Sequence, residues 1–171
     1  MSRPQSAEFP SYFARYVSQV ATDSVAEAIQ RYAAELNDFY TSLPEDKANY
    51  RYAEGKWTIK ELLQHVIDAE RIFAYRILCI SRKDKTPLAS FDEDSYAQHA
   101  QADKRSFASL KEEFVAVRRS SDLLLTSLSQ EQLAEQGTAS NLPVTANAIG
   151  FILFGHLLHH KAVLEERYLV G

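Results

Sequence analysis

Glycine and proline are scarce, 5 of each among 171 residues, which argues against a turn-rich all-β chain and for a helical one. The single cysteine, Cys79, excludes an internal disulfide framework and a zinc site built on thiolates, and fits a reducing compartment. No run of lysine or arginine occurs, and the net charge is -4. Nucleic-acid binding draws on several clustered cations that displace phosphate counterions, so no nucleic-acid partner is expected. Long hydrophobic runs are missing as well. The longest, Ala146 to Leu158, contains Asn147 and His156 and falls short of a membrane span. The opening MSRPQSAEFP has no apolar signal-peptide core. The expectation is a soluble, cytoplasmic protein with no membrane partner, folded as one domain over residues 1–171.

What the chain does have is helical periodicity. Val25, Ile29, Tyr32, Leu36, Phe39 and Leu43 step by three and four and stop before Pro44. A second stripe, Leu62, Val66, Ala69, Phe73, Ile77 and Ile80, follows a capping box at Thr58 and Glu61 and runs to about Arg82. The third comprises Phe107, Leu110, Phe114, Val117, Ser121, Leu124 and Leu128. A fourth starts near Asn147, with Ile149, Leu153, His156, His160, Val163 and Arg167 on one seam. Four such segments, each with one narrow apolar face, predict an all-α, up-down four-helix bundle. First and second helices, and third and fourth, pair as antiparallel hairpins in this reading. The long segment Lys83–Asp103, which contains Pro87, crosses between the pairs between helices two and three. Short helices are expected at Pro10–Val20 and Ser129–Glu135, with loops elsewhere. Residues 1–20 form an N-terminal extension packed on the bundle. Its rings Phe9, Tyr12, Phe13 and Tyr16 offer apolar surface to a second copy, which motivates a homodimer.

The histidines carry the functional signal. His156 and His160 lie one turn apart on the fourth helix, a spacing that lets two imidazoles share an ion. His159 is three residues from His156, and spacing alone does not choose between His159 and His160. His65 borders the buried stripe of the second helix and supplies a third imidazole. Three neutral imidazoles would leave at least one metal position open, the pattern of a catalytic site. His99 falls in the crossover and reads as a surface residue. Cys79 lies fourteen residues beyond His65, roughly 21 Å along a helix, and is no partner.

The stretch YRYAEGKWTIKELLQHVIDAERIFAYR (50–76), then KDKTPLASFDEDSY, then GHLLHHKAVLEERYL resembles the DinB/YfiT-like family of metal-binding four-helix bundles in order and spacing. The resemblance implies a metal site of His65, His156 and His160, with His159 as a neighbour. It implies a divalent transition ion, commonly zinc or nickel. It also implies either hydrolysis of a small-molecule substrate or transfer that uses a low-molecular-weight thiol. Many relatives carry Glu directly after the first histidine of the HxxHH block, where this chain has Leu157. That departure favours the thiol version, because a thiolate needs less help from a base. Asp68, three residues after His65, is the candidate replacement, and Glu61 reads as a capping residue. Trp57 reads as a hydrophobic staple on the helix start. Arg76 continues the His65 seam and is read as a structural ion pair or a contact to an anionic substrate. The alternative to an enzyme is a non-catalytic metal-binding or interaction module with a structural ion.

Overall fold

The computed structural model describes residues 1–170. Seven α-helices and one hairpin follow in order: α1 (Ala14–Val17), α2 (Val25–Thr41), α3 (Ile59–Ser81), α4 (Glu93–His99), α5 (Phe107–Thr126), α6 (Gln130–Ala134), β1 (Gln136–Ala139), β2 (Leu142–Thr145) and α7 (Ala146–Val163). The long helices α2, α3, α5 and α7 form a four-helix bundle. Each begins at a serine or threonine whose hydroxyl accepts an N–H from the first turn: Ser24, Thr58, Ser106 and Thr145. The expected capping boxes at Thr58/Glu61 and Ser129/Gln132 are both formed.

The hairpin pairing differs from expectation. α2 packs on α5 and α7, α3 packs on the same two, and chain neighbours α2/α3 and α5/α7 stand across the diagonals. Side-chain contacts fix the directions. Lys60 donates to the Asp103 carbonyl, Arg105 to Gln64 and Arg118 to Glu70, so α3 and α5 run parallel. Tyr40 stacks on Phe114 near one end of α2, while Val25 and Leu125 meet over Gly150 at the other, so α2 and α5 are antiparallel. His65 at the start of α3 meets His156 in the last half of α7, so these two are antiparallel. The bundle therefore runs up, down, down, up. Because α3 and α5 are parallel neighbours, the connection must return along the full helix length, about 35 Å for 23 residues. The crossover is long for that reason, and α4 lies within it.

α7 departs from a narrow apolar face. Ala146 to Leu157 are all buried, because the side not covered by α2 and α3 is covered by the N-terminal segment and β2. Beyond Val163 the helix widens into a π turn, Leu164–Tyr168, which brings Leu164 and Tyr168 inward and leaves Arg167 exposed. The hairpin β1–β2 stands where loops were expected. Its two-residue turn puts Ser140 and Asn141 at positive φ, 52° and 64°, and Leu88 of the crossover bridges to Ala139.

The N-terminal extension lies directly on α7. A Cβ at Gly155 would stand 2.1 Å from the Tyr16 carbonyl oxygen, so only glycine permits this approach. Tyr16 is buried, Phe9 and Phe13 pack against the core, and Tyr12 alone of the four rings is largely exposed. The segment thus folds onto its own bundle. Gly155→Ala is expected to destabilise the protein by about 1–3 kcal/mol and to speed proteolysis within the first 20 residues. Thermal melting and limited proteolysis measure both effects.

Candidate metal centre

The first turns of α3 and the last turns of α7 bring three imidazoles together. His65, His156 and His160 place one ring nitrogen each within 4.8 Å of the others. His156 Nε2 lies 3.1 Å from His65 Nε2 and 3.1 Å from His160 Nε2. Exposure is 6% for His65 and 6% for His156, so bulk water does not separate the rings. Burial holds the His65 pKa down at about 4 and pushes those of His156 and His160 well below the ordinary value, with mutual repulsion adding to the last two. All three are therefore neutral near pH 7 and carry a free lone pair.

Convergent lone pairs are poorly satisfied by one another. His156 Nε2 has one position for a proton and two close nitrogens, so it can serve only one of them as donor or acceptor at a time. His160 Nδ1 is buried without a hydrogen-bond partner. A cation resolves this arrangement. Two nitrogens each about 2 Å from a tetrahedral ion stand about 3.3 Å apart, close to the spacing found here. The residues fit a divalent ion, with Nε2 as the donor atom on each ring. Among the described residues no carboxylate or thiolate joins this group, which leaves a further position for an exogenous ligand.

Aromatic rings frame the triad. Trp57 lies 4.7 Å from the His65 ring, Phe73 lies 5.7 Å from His156, and Tyr16 lies 5.5 Å from both His156 and His159. Trp57 thus packs on a site histidine and forms a wall of the centre, beyond any role at the helix start. A cleft of about 490 Å³ opens from the triad between α3, α7, the N-terminal segment and Ser90–Glu93 of the crossover. His159 and Arg15 line it; burial and nearby arginines lower the His159 pKa.

Three other residues singled out in the sequence stand away from the triad, His99 at the surface as expected. Asp68 does not line this cleft: its carboxylate accepts a hydrogen bond from Gln64 at 2.9 Å and it borders a separate depression with Tyr96 and His99. His99 is exposed and bonds the Ser95 carbonyl. Leu157 is 1% exposed in the core, and its carbonyl accepts from Tyr40. A side chain at 157 points away from the triad, so the residue type there does not decide which nucleophile the site uses. Tyr16 and Ser140, which also line the cleft, carried no site signal in the sequence: one sits in a helical turn of four residues, the other in a hairpin turn.

The pH dependence follows directly. Unfolded histidines titrate near 6.5, whereas folded His65 titrates at about 4, so between these values the unfolded chain holds more protons. The metal-free protein is therefore fully stabilised above about pH 6.5 and loses roughly 3 kcal/mol on account of His65 alone as pH falls to about 4. His156 and His160 steepen the loss. Melting curves of metal-free protein at about pH 7.5 and about pH 4.5 should show it, with a smaller drop in His65→Ala.

A bundle that gathers two buried histidines and a half-buried third on the wall of a cleft defines a class of helical proteins with a His-rich candidate metal centre. The profile of the DinB superfamily matches residues 27–164, and the chain belongs to that superfamily. One curated relative, from Oceanobacillus iheyensis, is named "Putative metal-dependent hydrolase OB0413" and is 29% identical over 70 residues. That match spans 40% of this chain and 40% of the relative's own length. Among solved structures, YfiT from Bacillus subtilis aligns with a TM-score of 0.68 at 17% identity, over 95% of this chain and 89% of that one. It is described as "a probable metal-dependent hydrolase with an unusual four-helix bundle topology". The DinB-like YjoA of Bacillus subtilis aligns with a TM-score of 0.57 at 18% identity, over 82% of this chain and 86% of that one. At these identities the likeness establishes the fold. Among the described residues no helix is long and apolar enough to cross a membrane.

Proposed function

We propose that this protein is a metal-dependent enzyme acting on a small molecule, with His65, His156 and His160 holding one divalent transition ion, zinc or nickel, in a cytoplasmic setting. The observation that carries the reading is the convergence of three neutral Nε2 atoms, from two buried histidines and one half-buried, on the wall of a cleft large enough for a small molecule. A closed structural site would complete four protein ligands, and among the described residues three nitrogens converge. Bound there, such an ion would acidify a coordinated water or thiol and so supply a nucleophile at neutral pH.

The chain's own residues would do the rest. Trp57, Phe73 and Tyr16 exclude bulk water from the triad and leave access through the cleft. His159, neutral at pH 7 and lining the cleft with its ring 5.1 Å from that of His160, is able to accept a proton there. Asp68 is not on this wall and is assigned no part. Because no carboxylate base among the described residues joins the triad, a nucleophile that needs little deprotonation fits best, which ranks a low-molecular-weight thiol ahead of water. Hydrolysis is the second reading, favoured by the names of the relatives.

The experiment is elemental analysis of tag-free protein followed by thiol addition to a nickel- or cobalt-loaded sample. Stoichiometric metal and a thiol-dependent absorption band support transfer. Metal without a band, together with hydrolysis of simple esters or amides, supports the second reading. Metal with neither activity returns the site to a structural role.

A further inference from the structure

Two arginines are buried in this protein, and they are treated oppositely. Arg118, 0% exposed, is held between Glu70 and Asp122. Arg76, 4% exposed, has no carboxylate within ion-pair distance among the described residues. Its Nη2 donates to the Ala89 carbonyl at 2.6 Å and to Ser140 Oγ at 3.2 Å, which ties α3 to the crossover and to the β1–β2 turn. Among the described residues Nη1 and Nε have no acceptor, and both are open to solvent. A guanidinium stays charged at any pH the fold survives, so this is a largely buried cation that no carboxylate among the described residues balances. Its remaining donors are open to an anion that enters the cleft.

The surroundings say which. Arg76 lines the same cleft as the histidines. Along α3 the cleft floor reads His65, Ala69, Phe73, Arg76, one residue per turn. A metal-ligating ring stands at one end and a cation at the other, with a methyl group and an aromatic ring between. The two end residues are about 16 Å apart along the helix axis. Of the other charged groups on the cleft, Arg15 lies toward the triad, and Glu93, an exposed carboxylate of α4, makes no ion pair with Arg76.

We infer that Arg76 receives the carboxylate of a small molecule whose reactive group sits at the histidine triad, the two being joined by an apolar segment lying over Ala69 and Phe73. This deepens the proposed function and rests on it for the position of the reactive group. Specificity then comes from two fixed anchors: thiol or electrophile at the triad, and carboxylate on the free guanidinium donors.

The test uses probes that differ only at the far end. Zinc-loaded protein is titrated calorimetrically with ω-mercapto acids of increasing length and with the matched ω-mercapto alcohols. The acid is expected to bind at least about tenfold tighter than the alcohol at one intermediate length, as one charge-assisted contact provides. Arg76→Gln should lose that preference while keeping the zinc stoichiometry, Arg76→Lys should recover part of it, and Arg15→Gln should keep it. Equal binding of acid and alcohol at every length in the wild-type chain overturns the inference, and so does a preference that survives in Arg76→Gln. Should Arg76→Gln fail to fold, the wild-type comparison still decides. Absence of zinc would instead overturn the metal reading. In that event the same comparison with alkyl carboxylates and alcohols on the metal-free chain tests Arg76 alone, and equal binding there refutes it.

Discussion

His156→Ala is expected to abolish specific binding of a divalent ion, with His65→Ala and His160→Ala close behind. His156 is the hub of the triad: its Nε2 lies 3.1 Å from the Nε2 of each of the other two, whose own rings meet with centroids 4.9 Å apart. Removing it leaves two imidazoles and no third donor within reach. Loss of a residue that merely orients a metal ligand costs about 10–100-fold in affinity, so loss of a direct ligand should exceed about 100-fold. His99→Ala should change nothing, since that ring is exposed and bonded to its own helix. His159→Ala should keep the ion, because its ring packs against Tyr16 and His160 and stands outside the converging nitrogens. Calorimetric titration with zinc, at a pH above the histidine range, reads all five variants. His156→Ala protein that bound zinc like the wild type would refute the assignment. The fold should survive the change, because two phenylalanines and α2 hold α7 in place from other sides.

The sequence showed the helices more clearly than it showed their arrangement. Apolar periodicity and the capping residues at Thr58 and Ser129 are local signals, and the bundle's long helices stand where those signals put them. Which helix neighbours which is a matter of long-range packing. Nothing in the stripes of α2 and α3 says that they lie on a diagonal, although the length of the crossover is explained once α3 and α5 are parallel. The hairpin went unread because each strand has four residues, Pro143 sits in one of them, and its turn is Ser140–Asn141 in place of a glycine-containing pair. At the candidate centre, His65 and the fourth-helix histidines could be read because helical spacing projects them onto one face. Tyr16 and Ser140 could not, since tertiary contacts bring their segments there. The seam of α5 was legible only in part: Phe107, Leu110, Phe114 and Ser121 are buried as it predicts, and Val117, Leu124 and Leu128 pack half-buried against the core. Arg118 and Asp122 are buried more deeply than Val117 and Leu124, and a hydrophobic pattern is blind to a buried ion pair.

That ion pair sets the largest stability effect expected. Arg118→Ala should destabilise the protein by about 3–5 kcal/mol, enough to remove much of the stability of an ordinary domain. Arg118 joins α5 to α3: Nη1 donates to Glu70 Oε1 at 2.6 Å, Nη2 donates to Asp122 one turn along, and Phe154 of α7 lies 4.9 Å beneath the guanidinium. Burial pushes the Glu70 and Asp122 carboxyls above their usual range, and the arginine is the main influence opposing that shift. Truncation would leave two facing carboxylates without their cation and a void against Phe154. The penalty should shrink as pH falls from about 7 to about 5, because carboxyls with raised pKa values take up protons in the folded variant before they do so unfolded. Replacing the three residues together with apolar ones of similar volume, Glu70→Leu, Arg118→Met and Asp122→Leu, should stay near the wild type or exceed it, since desolvation of the charges is then no longer incurred. Urea unfolding of the single and triple variants at the two pH values distinguishes these outcomes. An Arg118→Ala loss below about 1 kcal/mol would mean that water reaches the carboxylates and that this face of the bundle is open in solution.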